Sequence, residues 1–232
     1  MKILPYYQAI VDMVDHKIIG YEATIKGIRG KEEIGAVQLF EEAQYQDNTT
    51  QLDFEARKVS IENGLPFLQY QERLFLNMVP DSLYLPDSWF PVQTPVHQVT
   101  LEITEQAPVL ANNELIRNLE KLRAKGMKLA LDDFGRGYHN LLLIDLLQPD
   151  YLKIDRSITT ESTSRVMRWI LSLCQDTKTE VIAEGVETRE QLDRLLQLGV
   201  RYFQGYLFGP PTPLPFLEKH NPLSNTYKED FR

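Results

Sequence analysis

Apolar and polar residues alternate over positions 3–13 and 17–26, on either side of a polar turn at Asp15-His16. That spacing predicts a β-hairpin. In its second arm Ile18, Gly20 and Glu22 share one face, and Ile19, Tyr21 and Ala23 the other. The period then changes. Val37, Phe40 and Glu41, and further on Leu52, Ala56 and Val59, recur at helical spacing, which predicts helices over 33–46 and 50–63. The run 73–78, RLFLNM, reads as a strand that carries Asn77 near its end. Beyond it, strands predicted at 98–104, 127–132, 150–155, 179–184 and 200–205 alternate with helices at 113–125, 139–147, 162–175 and 189–198. Gly126 and Gly199 stop two of those helices. Repeated strand-then-helix units imply a mostly parallel sheet covered by helices. About eight strands in a chain of this length favour a closed barrel over an open sheet. The opening hairpin is irregular for a plain (β/α)8 barrel, so the expected fold is a modified α/β barrel. From Pro213 onward the chain is rich in proline and polar residues, which predicts a short capping helix and then a loose end. The expected division is a barrel domain over 1–218 and a tail over 219–232.

Composition narrows the partners. Hydrophobic residues make up 43% of the 232, enough for a large core. Acidic residues outnumber basic ones by 33 to 25, a formal charge of −8, which argues against a basic groove for a DNA or RNA duplex. A small anionic substrate would need a divalent cation to bridge it to carboxylates. Cys174 is the single cysteine, so no intramolecular disulfide forms. Pro5, Tyr6, Tyr7 and Gln8 break the N-terminal apolar stretch as a leader, and no apolar run approaches the ~20 residues of a membrane span. A soluble, cytoplasmic protein with no membrane partner is expected.

The chemistry-bearing residues fall at strand ends. Asn77, Glu102, Asp132 with Asp133, Lys153 with Asp155, Glu184 with Glu187, and Gln204 all lie at or near the C-terminal ends of predicted strands. In an α/β barrel those ends form one face, where active sites sit. Asp132 and Asp133 are adjacent like charges that need a compensating cation, proton or water, and Gly135 and Gly137 let the chain turn away behind them. Hard oxygen donors suit Mg²⁺ or Mn²⁺, and no cluster offers the sulfur and imidazole ligands that favour zinc. The histidines, His16, His97, His139 and His220, lie away from the strand ends. A carboxylate such as Asp132 can bridge two cations ~3.5–4 Å apart, the arrangement that activates water against a phosphodiester. Lys153 could orient that water or pair with Asp155 on the same strand face. Taken singly, each residue has a plain reading: Asp132-Asp133 a helix cap, Asn77 a turn before Pro80, Glu184 and Glu187 a helix N-terminus, Cys174 a core residue, Tyr6-Tyr7 barrel packing. Those readings must all hold at once to remove the site.

The set resembles a known family, the EAL-domain phosphodiesterases that hydrolyse cyclic di-GMP to linear pGpG. The motifs that carry the resemblance are YEATIKG with Glu22, FLNM with Asn77, LEITE with Glu102, LDDFGRGYHNL, YLKID with Lys153, VIAEGVET with Glu184 and Glu187, and FQGYLFGPP with Gln204, in the family's order. The resemblance implies a modified (β/α)8 TIM-like barrel with one antiparallel strand. It implies two Mg²⁺ or Mn²⁺ ions, one on Glu22, Asn77, Glu102 and Asp132 and the other on Asp132, Asp133 and Glu184. It implies catalytic roles for Lys153, Glu184 and Glu22, substrate contacts at Lys26, Gln204 and Asp155, and supporting roles for Glu187 and Gln204. Cyclic di-GMP and a second copy of the chain are the implied partners. The chain departs from the family pattern at four places. Thr24 stands for Leu. Lys26 stands for an arginine and loses its bidentate fork. Gly27 stands where an aromatic is common. Arg136 with His139-Asn140 alters the loop after the paired aspartates. The second expectation is therefore a weak or inactive member that acts as a cyclic di-GMP receptor or protein-interaction module.

Overall fold

A computed structural model describes residues 1–86, 89–161, 164–214 and 222–223. The predicted hairpin is present as β1 (Lys2–Asp12) and β2 (Lys17–Arg29). Next come β3 (Glu32–Gly35), α1 (Ala36–Tyr45) and α2 (Thr49–Gly64). The alternating part holds β4 (Arg73–Met78), β5 (Val99–Ile103), α3 (Asn113–Arg123), β6 (Lys128–Phe134), α4 (Leu141–Leu147), β7 (Tyr151–Ile154), α5 (Ser164–Thr177), β8 (Glu180–Ala183), α6 (Arg189–Gln197) and β9 (Tyr202–Phe203).

Eight strands close into a ring in the order β1-β9-β8-β7-β6-β5-β4-β2, and β2 pairs back onto β1. β1 runs antiparallel to both neighbours, whereas β2 through β9 pair in parallel around the rest of the ring. This is the expected modified barrel with one reversed strand. β2 serves two partners along one edge. Its Gly20–Ala23 part pairs with β4 inside the barrel, and its Lys26–Arg29 part leaves the barrel to pair with β3. Gly20 allows this close packing, because a Cβ there would lie 2.2 Å from the Arg73 carbonyl oxygen.

Several element boundaries differ from the sequence pattern, three of them with a plain physical reason. The helix expected over 33–46 starts only at Ala36, because Ile34 alternates with exposed Glu33 and Gly35 and packs in strand geometry on Ile25 and Leu39. The strand expected over 127–132 runs two residues further, through a bulge between Leu131 and Phe134. The strand expected over 200–205 shrinks to Tyr202–Phe203, and Gly205 (φ +155°) turns the chain beyond it. Thr212 still returns to the barrel and pairs with Tyr7. Of the tail, the proposed boundary at 218 and nearly all of 219–232 lie outside the described residues.

The main core lies between the outer strand faces and the helices, where Leu76, Leu101, Leu129, Leu152 and Phe203 meet Leu115, Ile144, Met167 and Leu192. Cys174 is buried there as expected, with its thiol pushed up to about 12 by burial. Tyr7 is buried too, its hydroxyl donating to the Ser60 carbonyl at 3.0 Å. Inside the barrel, Ile10, Phe75, Ala130, Tyr151 and Ile182 fill a lower layer. That leaves the upper layer to polar groups.

Candidate metal centre

The polar layer is centred on Lys153 of β7. Its side chain is fully buried, and Nζ lies 2.7 Å from Asp132 Oδ1, 2.8 Å from Glu184 Oε1, 2.9 Å from Glu102 Oε1 and 3.1 Å from Glu22 Oε2. These carboxylates come from β2, β5, β6 and the end of β8, so closure of the ring brings four distant residues onto one ammonium. An ammonium has three N–H donors, so it cannot satisfy four carboxylates. Neither Glu102 oxygen accepts an aligned hydrogen bond among the described residues, nor does Asp132 Oδ1 or Gln204 Oε1. Glu22, Glu102 and Asp132 place carboxylate oxygens within 4.8 Å of one another.

Electrostatics follow from this crowding. Burial, then the neighbouring Glu22 and Asp132 charges, push Glu102 well above the usual carboxylate range against the pull of Lys153. Burial pushes Glu184 well above that range too and raises Asp132, reinforced by the nearby acids. Glu22 goes the other way. Burial opposes its ionisation, but the Lys153 charge and hydrogen bonds from Gln204, Lys153 and Asn77 hold it below the usual value. Burial would deprotonate Lys153, yet its ring of carboxylates, Asp132 foremost, holds it well above an ordinary lysine. Four acids around one permanent cation leave a charge deficit that divalent cations relieve, and the orphaned buried oxygens are hard donors of the kind such ions take. The residues fit a metal centre.

Amide side chains orient the acids. Asn77 Nδ2 donates to Glu22 Oε1 at 3.1 Å, so the atom Asn77 has left for a cation is Oδ1. Gln204 Nε2 donates to Glu22 Oε2 at 2.5 Å and to Gln8 Oε1 at 3.0 Å. Asp133 occupies the β6 bulge with φ +48°, a left-handed conformation that non-glycine residues seldom adopt. In a regular strand adjacent side chains face opposite sides. The bulge instead lets Asp133 line the mouth cavity while Asp132 meets Lys153. Burial, and then Asp132, push Asp133 up to about 7.

The cavity above this layer holds about 300 Å³ and is lined by Glu22, Asp133, Asp155, Glu184, Glu187 and Gln204, among others. All the expected site residues therefore meet at one mouth except Lys26. Its Nζ sits 3.1 Å from Glu33 Oε2 and 4.5 Å from the Tyr6 ring centroid. The partner expected for Lys153 also differs. Asp155 lies beyond the end of β7 and accepts hydrogen bonds from Ser157 N (2.8 Å) and Ser157 Oγ, whereas Lys153 serves the four barrel carboxylates.

Sequence reasoning missed Gln8 and Arg156, and it read His139 only as part of the altered loop after the paired aspartates. Gln8 sits opposite Glu22 in the hairpin register, which shifts between Ile10 and Val11. His139 Nδ1 lies 2.8 Å from the Asp132 carbonyl and donates to it, so this histidine braces the bulge rather than reaching the mouth. Its position two residues after Gly137 was the available signal.

Comparison with known proteins bears on this geometry. The EAL domain model matches residues 2–211. Probable cyclic di-GMP phosphodiesterase PdeD of Escherichia coli is 41% identical over 131 residues, 54% of this chain and 24% of PdeD. Cyclic di-GMP phosphodiesterase NbdA of Pseudomonas aeruginosa is 39% identical over 124 residues, 51% of this chain and 16% of NbdA. The matched stretches thus span a quarter or less of these relatives. Among solved structures, the PaMucR phosphodiesterase in complex with c-di-GMP aligns with a TM-score of 0.80 at 26% identity, covering 94% of this chain and 100% of that one. Klebsiella pneumoniae BlrP1 in its manganese/cy-diGMP complex aligns at 0.76 and 31% identity, covering 91% of this chain and 56% of that one. The family match takes in every strand of the ring and every acid around Lys153: the chain belongs to the EAL-domain family.

Proposed function

We propose that this chain is a metal-dependent phosphodiesterase that hydrolyses cyclic di-GMP to linear pGpG. The observation that carries the reading is the barrel mouth, where four carboxylates crowd one buried ammonium and leave orphaned oxygens. Glu22, Asn77, Glu102 and Asp132 would hold one Mg²⁺ or Mn²⁺, and Asp132, Asp133 and Glu184 a second. When bound, such ions supply Lewis acidity to a phosphodiester and acidify water at the site. The chain's own groups do the rest. Lys153 Nζ, within 3.1 Å of four carboxylates, is placed to donate hydrogen bonds, orient water and offset negative charge. Asn77 and Gln204 fix the rotation of Glu22. Asp155, Gln204 and Lys26 are the proposed substrate contacts, and Glu187 supports the wall of the cavity.

The same reading takes 1–218 as one barrel domain, a cytoplasmic location and a homodimer as the working unit. Support for the dimer is the exposed apolar face of Leu141, Leu142 and Leu146 on α4, beside the loop that carries the paired aspartates. Among the described residues no helix is long and apolar enough to cross a membrane.

Purified protein incubated with Mn²⁺ and cyclic di-GMP is expected to yield pGpG, and Glu22→Ala to yield none while keeping its circular dichroism spectrum. Full turnover in Glu22→Ala would overturn the metal assignment. The departures at Lys26, Arg136 and His139 carry a second reading, a receptor. Tight cyclic di-GMP binding without any pGpG would establish that instead.

A further inference from the structure

Arg156 stands apart from the cluster around Lys153. It follows Asp155 at the end of β7 and is the one cation among the described residues that line the mouth cavity. The other charged groups on that wall, Glu22, Asp133, Asp155, Glu184 and Glu187, are all acids. The backbone at Arg156 is anchored, its carbonyl accepting from Thr159 Oγ1 at 3.1 Å and Thr160 Oγ1 at 2.7 Å. The side-chain stem runs across Gly185. A Cβ on that glycine would lie 2.8 Å from both Cβ and Cγ of Arg156, and its φ of +64° is one that L side chains seldom adopt. Gly185 is therefore a shelf that only glycine provides, and it aims the guanidinium along the cavity wall.

At the end of that stem Nη1 meets Glu187 Oε1 at 2.9 Å, with the two side chains 61% and 36% exposed. A pair this wet contributes little to stability, so bracing the fold does not account for the arrangement. The other nearby cations lie off that wall. Lys153 is fully buried beneath its carboxylates, Lys26 pairs with Glu33 outside the lining, and Arg136, though close enough to act on the Asp155 charge, does not line the cavity. An anion that enters this acidic cavity meets one guanidinium on its wall, whose planar fork matches a phosphate.

We propose that Arg156 is a substrate-anchoring residue: it exchanges Glu187 for a phosphate of the cyclic dinucleotide at the rim of the cavity. This rests on the reading of the chain as a cyclic di-GMP phosphodiesterase. Glu187 then competes with the substrate for the guanidinium and sets how tightly the substrate is held.

The test uses the whole chain. Binding of cyclic di-GMP is measured by calorimetry with calcium present, and hydrolysis in Mn²⁺ by steady-state kinetics. Arg156→Ala is expected to raise Kd and KM about tenfold, the size of a lost charge-assisted contact, with kcat changed less than about threefold. Arg156→Lys, which keeps the charge without the fork, is expected to fall between. The slope of log Kd against log salt is expected to flatten in Arg156→Ala, because a phosphate contact is screened. An unchanged Kd in Arg156→Ala overturns the proposal while the wild type still binds and cleaves. A weaker Kd with an unchanged salt slope overturns it in favour of base recognition. A wild type that neither binds nor cleaves cyclic di-GMP removes the phosphodiesterase reading and the anchor together.

Discussion

The two ends of one barrel treat buried acids in opposite ways. At the bottom, Asp12 is fully buried at the end of β1, and every demand it makes is met. Its Oδ1 accepts from Val14 N at 2.9 Å and Asp15 N at 3.1 Å, and its Oδ2 accepts from Arg201 Nε at 2.9 Å and Nη2 at 2.6 Å. At the mouth, Glu102 is equally buried, yet neither of its oxygens finds an aligned donor among the described residues. Both sites hold charge in a low dielectric, but only one is balanced. A buried carboxylate with its full set of partners closes a structure. A buried carboxylate shared between too few donors is destabilising unless something else arrives. The difference separates a clamp that joins β1 to the start of β9 from a site built to receive cations.

The contrast breaks most sharply at Asp132. Asp132→Asn is expected to lower the rate of pGpG formation by at least about 100-fold, the scale of a disrupted metal shell. Its melting temperature in chelator should not fall, because removing one acid relieves repulsion around Lys153. A mutant that melted much earlier would place Asp132 with Asp12 among the structural acids.

Mn²⁺ at a hundred times its Kd should stabilise the wild type by about 2.7 kcal/mol. Glu102→Gln should gain far less, and Arg201→Ala as much as the wild type. Thermal shifts with and without the ion would show it, and equal gains in wild type and Glu102→Gln would remove Glu102 from the metal centre. Arg201→Ala is itself expected to cost about 2 kcal/mol of unfolding free energy, since it leaves the Asp12 carboxylate short of donors. The urea midpoint should drop and the kcat stay put.

The pH dependences should run in opposite directions. Burial and the Asp132 charge raise Asp133 to about 7, so in chelator its contribution to stability is complete below about pH 4 and is lost as pH rises through about 7. Burial opposes ionisation of Asp12 as well, but the Arg201 and backbone hydrogen bonds outweigh it and lower that pKa. Its contribution is present above about pH 4 and is lost as pH falls through the lower folded value. Melting curves of metal-free Asp133→Asn should show a shallower decline toward pH 7, the remainder belonging to Glu102, Glu184 and Asp132, and those of Asp12→Asn a shallower decline into acid. A parent protein whose chelated form grew steadily more stable toward pH 7 would contradict the sign given for Asp133.

Much of this was legible in the chain. Period-two and helical spacing, with glycine stops after helices, predict the barrel because those patterns record which face of each element is buried. Polar residues at strand ends predict the mouth because parallel strands present those ends on one side. Where local and tertiary demands diverged, the pattern misled. Glu32–Gly35 carries too few residues to show its period, and it became a strand because the outer half of β2 needed a partner.

By itself the sequence determined the eight barrel strands and their order along the chain, the residues able to ligate a hard cation and the family that shares them. Only the tertiary structure decided which charges meet. Ring closure aimed Lys153 at four acids rather than at Asp155, the β6 bulge turned Asp132 and Asp133 to different tasks at one mouth, and Gly185 made room for Arg156. The reason is physical. Side-chain type is written along the chain, but electrostatic energy depends on distances across the barrel, and those exist only once the eight strands have closed.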